Sequence, residues 1–185
     1  MRIIAGTAKG RILKCPRGPR VRPTPDRVRE AIFSIIAERV SDAVVLDLFA
    51  GTGALGIEAL SRGAEHAVFV EKDRTALKFL RENIDICGFD KRSRVVKAPV
   101  VSYLNSAAIP DDVRLVFADP PYRSGEGIKT LLALSKRAKS LSRSLVVYEC
   151  APTDEPDPIP ENLELVDRRG YGDTAVMFLE VMAER

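Results

Sequence analysis

Apolar positions follow two alternating periods along the chain. From residue 43 onward, short unbroken apolar runs alternate with stretches whose apolar residues recur every three or four positions. The runs are the mark of strands buried on both faces, and the stretches are the mark of helices. Val44–Phe49 predicts a first strand, followed by a helix over Ala54–Arg62 that Gly63 closes. His66–Val70 predicts a second strand. Asp73 then caps a helix that turns Leu77, Leu80, Ile84 and Cys87 inward and ends at Gly88. Arg94–Val96, Val113–Ala118 and Leu145–Glu149 continue the series, with a helix over Ile128–Ala138 that leaves Lys136, Arg137 and Lys139 in water. Ala151–Pro160 holds four prolines and reads as a loop. Leu163–Arg168 and Ala175–Val181 alternate and fit a closing antiparallel pair. Such alternation describes an α/β chain with a mostly parallel sheet covered on both faces.

The first forty residues differ. Arg2–Ala5 and Arg11–Lys14 flank Gly6–Gly10 as a hairpin, and Cys15–Pro23 is extended and rich in Pro and Arg. Thr24 supplies an N-cap, Pro25 the first helical position and Asp26 an acid in the first turn. Val28, Ala31, Ile32, Ile35 and Ile36 then form one apolar face, with Arg27, Arg29 and Arg39 off it.

Composition adds a partner. Of the chain's 185 residues, 45% are apolar and 30% charged, as in a globular domain of this size. No apolar run approaches membrane-span length and no secretory pattern opens the chain, so a cytoplasmic protein is expected, with a monomer as the default. Cys15, Cys87 and Cys150 form no metal-ligand spacing and are expected to be reduced; His66 merely opens a strand. Residues 1–40 carry ten Lys/Arg against three Asp/Glu, whereas the other 145 carry nineteen against twenty-three. A basic segment on a mildly acidic body points to an anionic partner. Arg11, Arg17, Arg20, Arg22 and Arg27 are its candidate phosphate contacts.

Candidate chemistry sits where the fourth strand stops. Asp119-Pro120-Pro121-Tyr122 ends that strand abruptly, because two prolines lack N–H donors and disfavour helix before them. Asp119 and the Pro120 carbonyl can accept the two hydrogens of an exocyclic amine while Tyr122 stacks on its ring. Drawing those hydrogens out of plane returns the lone pair to nitrogen, and a fixed carboxylate stabilises the charge that nitrogen gains on methylation. The loop Asp47-Leu-Phe-Ala50-Gly51-Thr52-Gly53, together with Glu71 at the end of the second strand, suits a cofactor with a ribose and a cationic end. A dinucleotide reading of Gly51-Thr-Gly53-Ala-Leu-Gly56 would also need a substrate domain, for which there is little room. A DNA adenine-N6 methyltransferase and a non-catalytic RNA-binding module are the alternatives. A C5-pyrimidine methyltransferase would need a Pro-Cys, and the chain has only Cys15-Pro16.

Arg2-Ile-Ile-Ala-Gly6, Gly10-Arg11-x-Leu13, Arg22-Pro-Thr24-x-x-Arg27-x-x-x-Ala31-x-Phe33, the run Asp47–Ala64, Asp119–Tyr122 and Tyr171-Gly-Asp173 together resemble the RsmD family. These are bacterial enzymes that methylate the N2 amine of one guanine in 16S ribosomal RNA. The resemblance implies a Rossmann-like seven-stranded sheet, mostly parallel with an antiparallel last strand, and a small N-terminal β-hairpin extension. It implies an RNA-binding extension over residues 1–23 and a methyltransferase domain over 24–185. S-adenosylmethionine is the implied cofactor, held by Asp47, Ala50, Gly51, Thr52, Gly53 and Glu71. Asp119, Pro120, Pro121 and Tyr122 are the implied catalytic group, and 16S ribosomal RNA in a small-subunit assembly particle is the implied partner. No metal is implied. The family usually carries an acid after the third strand, and Lys97-Ala-Pro99-Val100 has none there.

Overall fold

The computed structural model describes residues 1–16, 25–106 and 109–183. Its strands are β1 (Val44–Leu48), β2 (His66–Glu71), β3 (Ser93–Lys97), β4 (Val113–Ala118), β5 (Leu145–Cys150), β6 (Leu163–Tyr171) and β7 (Thr174–Val181). They form one sheet in the order β3-β2-β1-β4-β5-β7-β6. Neighbours from β3 through β5 are parallel, while β7 runs antiparallel to both β5 and β6.

Helices α1 (Asp26–Ile35), α2 (Ala37–Val40), α3 (Ala54–Ser61), α4 (Arg74–Cys87), α5 (Val100–Leu104) and α6 (Glu126–Ser135) cover the sheet. On one face Ile32, Phe33, Leu60 and Leu80 pack on Phe69, Phe117 and Phe178; on the other Tyr103, Leu131 and Leu134 pack on Leu46, Val68 and Val116. This double cover explains why β1 and β5 bury every residue and read as solid apolar runs. Strand order reverses between β1 and β4, so their carboxyl ends open a crevice where a ligand can lie. No described helix is long and apolar enough to cross a membrane.

Residues 1–14 form the expected hairpin, although only as an Arg2–Ile12 antiparallel bridge. It is closed by Ile3 N–H to Arg11 O at 3.0 Å and Leu13 N–H to Met1 O at 3.0 Å. The hairpin is clamped to α3. Buried Glu58 accepts from Ile4 N at 2.8 Å, Ala5 N at 3.0 Å and Arg62 Nε at 2.8 Å.

The structure corrects several expectations. Arg29 is 0% exposed rather than solvated, donating through Nη2 to Arg2 O at 2.6 Å and Asp26 at 3.0 Å. Burial lowers its pKa, and it serves to pin the hairpin to α1. Ile35 faces water, and Phe33 takes its place in the core against Phe117. Arg137 is half-buried, donating to Leu104 O at 2.6 Å and to Ser106 O at the end of α5, a helix the apolar pattern was too short to reveal. Pro25 stands at the N-cap rather than inside the helix; Thr24 and residues 17–23, expected to be extended, lie outside the described residues.

Candidate active site

Asp47 is the last but one residue of β1, and it is 2% exposed. Its Oδ2 accepts from Gly56 N at 2.9 Å and so ties the start of α3 back to the strand. That approach requires glycine at 56, because a Cβ there would stand 2.3 Å from Phe69 Cε1 and 2.9 Å from Asp47 Oδ2. Gly53 has φ +87° and would drive a Cβ to 2.5 Å from Leu80 Cδ1. Burial, offset by the Gly56 bond and reinforced by Glu71, pushes the Asp47 carboxyl from 3.8 to about 7.

A carboxyl whose folded pKa is raised holds its proton more tightly folded than unfolded. Its contribution to stability is therefore full below the unfolded pKa and is lost as pH rises to about 7. Asp47→Asn is neutral throughout, and should give a flatter dependence of unfolding free energy between about pH 4 and 7, read from urea midpoints.

Glu71 closes the loop from the other side. Its Oε2 accepts from Gly51 N at 2.8 Å, and its Oε1 accepts from Lys72 N and Asp73 N, each at 2.8 Å. Ala50 N donates to Val70 O at 3.1 Å and Gly53 N to Ala50 O at 2.7 Å. The amides of Ala50, Gly51, Gly53 and Gly56 therefore point at the protein's own acceptors. Such a loop does not suit a pyrophosphate. Asp47 and Glu71 at the carboxyl ends of β1 and β2, with Asp119 beyond the end of β4, suit a cation carrying a ribose.

Asp119 and Tyr122 lie at the adjacent end of β4. Asp119 is half-buried, and its pKa is raised by burial, then by Glu149, then by Asp47. Tyr122 is 37% exposed, and its hydroxyl lies 3.1 Å from Thr174 Oγ1 and 3.4 Å from Glu149 Oε1. These contacts from β5 and β7 hold the ring by its polar tip and leave a face open. Burial raises the phenol pKa further, with Glu149 and Asp119 adding to it, so the ring stays neutral and suited to stacking.

Comparison with known proteins agrees with this geometry. The family model described as "Conserved hypothetical protein 95" matches residues 1–180. The chain belongs to that family, the RsmD family. It is 37% identical over 180 residues to "Putative rRNA methyltransferase YlbH" of Bacillus subtilis, covering 95% of this chain and 96% of that one. It is 37% identical over 175 residues to "Ribosomal RNA small subunit methyltransferase D" of Escherichia coli, covering 95% and 87% respectively. A solved "Putative methyltransferase yhhF" from Escherichia coli superposes with a TM-score of 0.86 at 34% identity, covering 100% of this chain and 99% of that one. The family's sheet and this one share the seven-stranded plan with antiparallel closing strands.

The structure gathers Asp47, Ala50, Gly51, Thr52, Gly53, Glu71 and Asp119–Tyr122 at the carboxyl ends of β1, β2 and β4. Of the five candidate arginines, the two described ones lie elsewhere. Arg11 is exposed but donates to Ile86 O near the end of α4, Arg27 is exposed in the first turn of α1, and Arg17, Arg20 and Arg22 lie outside the described residues.

Three residues went unseen in the sequence. Asn83 is buried and donates from Nδ2 to Lys14 O and Thr52 O, each at 2.9 Å, joining the hairpin's exit to the cofactor loop. Its signal was a polar residue on the inward face of α4, one position before Ile84. Glu149 was visible as a charge in an otherwise apolar strand. Thr174 carried no signal.

Proposed function

We propose that the protein transfers a methyl group from S-adenosylmethionine to the exocyclic N2 amine of a guanine in 16S ribosomal RNA, within a small-subunit assembly particle. The observation that supports this reading is that Asp47 and Glu71 stand at the same end of the sheet as Asp119-Pro-Pro-Tyr122, across the β1–β4 reversal. Relatives named as ribosomal RNA methyltransferases support it.

S-adenosylmethionine supplies an electrophilic methyl on a sulfonium. Buried Asp47 faces its cationic amino-acid end, and Glu71 accepts from the ribose hydroxyls. Ala50, Gly51, Thr52 and Gly53 form the close wall between them. Asp119 and the Pro120 carbonyl hold the two N2 hydrogens, Pro121 keeps the turn rigid, and Tyr122 stacks on the base. The N–C bond would form as the S–C bond breaks, and the positive charge gained by N2 would lie beside the Asp119 carboxylate, which would accept one of its two protons. A paired guanine cannot present N2 in line, so the base is flipped or unpaired.

Residues 1–23 act in this reading as an RNA-binding extension of a methyltransferase domain spanning 24–185, in a cytoplasmic monomer. Arg11, Arg17, Arg20, Arg22 and Arg27 contact phosphates. Each such contact contributes about −0.7 to −0.9 to the slope of log K against log salt. Replacing Arg17 and Arg20 by Ala spares the Arg11–Ile86 bond, and should weaken RNA binding and flatten its salt dependence by roughly 1.5 units, with cofactor affinity unchanged. An unchanged slope would remove the segment from the RNA surface.

Labelled methyl transfer to unmodified small-subunit RNA and particles, followed by nucleoside analysis, tests the function. N2-methylguanosine is expected. N6-methyladenosine, or transfer to protein alone, would overturn the assignment.

A further inference from the structure

Arg123 follows Tyr122 directly and stands at φ +56°, a left-handed backbone that glycine adopts freely and arginine does not. The turn is held by Asp154, whose Oδ2 accepts from Arg123 N at 2.6 Å. The side chain itself is exposed and makes no hydrogen bond or ion pair among the described residues. Arg143 shares the positive φ, at +68°, so Arg123 is set apart by its place: an unengaged guanidinium directly after Tyr122, beside two clefts.

Two clefts flank it, and Tyr122 and Arg123 line both. One, of ≈ 230 Å³, runs beneath Pro120 and Pro121 towards Ile128 and Tyr148. The other, of ≈ 550 Å³, lies between Tyr122, Arg123, the Ala151–Thr153 turn after β5, and Gly172 and Asp173 at the β6–β7 tip. The larger cleft has one aromatic wall, one guanidinium and one carboxylate. These groups suit a guanine: a face for stacking, donors for O6 and N7, and an acceptor for N1–H, while Asp119, the proposed N2 acceptor, precedes Tyr122 in the chain and does not line the cleft.

We infer that this larger cleft seats the target guanine and that Arg123 is its specificity-determining contact, donating to O6 and N7. The inference rests on the proposed N2 reading. With N2 held at Asp119 and the ring stacked on Tyr122, the O6/N7 edge lies on the far side of the base from Asp119. Arg123 is the next residue outward along the chain. Adenine presents an amine where guanine presents O6, and two donors would face each other there. Tyr122 supplies a face that any base could use, and Arg123 supplies the choice.

The test compares wild type with Arg123→Met on small-subunit RNA transcribed with guanosine or with 7-deazaguanosine, which replaces N7 by C–H. Wild type should lose about tenfold in kcat/KM on the deaza transcript, the scale of a charge-assisted contact to a base edge. Arg123→Met should be about tenfold slower on the guanosine transcript and lose nothing further on the deaza one. A folding defect in the altered RNA slows both enzymes alike and cancels in the ratio. Arg123→Gly, which suits φ +56°, should melt no lower than wild type and show the same indifference to N7. Equal losses for wild type and Arg123→Met on the deaza transcript would overturn the assignment and make Arg123 a phosphate or structural residue. If wild type yields no N2-methylguanosine, the functional reading fails first and this inference falls with it.

Discussion

Asp119→Asn is expected to bind S-adenosylmethionine as wild type does and to turn over about a hundredfold more slowly or worse, the scale of losing one electrostatic stabiliser. Asparagine keeps an acceptor for the target amine but brings no charge to the nitrogen that becomes positive. Its amide does not ionise, so the burial and the Glu149 and Asp47 charges that raise the Asp119 pKa no longer set its state. Wild-type activity should therefore climb with pH as Asp119 ionises, and the variant should lose that climb. The window lies above the ordinary carboxylate range, because the folded pKa is raised. Single-turnover rates across pH, with calorimetry for the cofactor, decide it. Wild-type turnover in the variant would remove Asp119 from the chemistry.

Glu71→Ala is expected to weaken cofactor binding by tenfold or more, since each charge-assisted bond is worth about 1.5–3 kcal/mol. The structure makes the effect larger than the ribose contacts alone imply. The same carboxylate accepts from Gly51, Lys72 and Asp73, so alanine both removes an acceptor and unties the loop. Glu71→Gln keeps an acceptor near Gly51, and should fall between alanine and wild type. Calorimetry showing equal affinity for all three would dismiss Glu71 as a ligand-binding residue.

The strands were legible because burial on both faces leaves little room for polar residues. Val113–Ala118 matches residue for residue, and β1 differs only at Phe49, whose φ of +58° takes it out of the strand. Short helices resisted. Five residues of α5 cannot complete the repeat that reveals a helix, and that helix is held by Arg137 from 33 positions away. Charge misled at Arg29, because sequence shows a cation but not the carbonyl and carboxylate that await it in the fold. The acids Asp47, Glu71 and Asp119 announced themselves by standing at strand ends. Asn83, Thr174 and Arg123 did not, because their meaning lies in who faces them across 31, 52 and 31 residues of chain.

The position of β7 bears on how the protein comes into being. It is the last strand in chain order, yet it lies inside the sheet, between β5 and β6. A nascent chain that has reached only Asp173 presents β5 with an open edge, apolar but for Glu149, and has no Thr174 to steady Tyr122. The covering of that edge and the Thr174 contact to Tyr122 thus arrive together, with the same eight residues. A chain that stops before β7 is therefore expected to meet chaperones and proteases with that edge uncovered, and to lack the Thr174 contact as well.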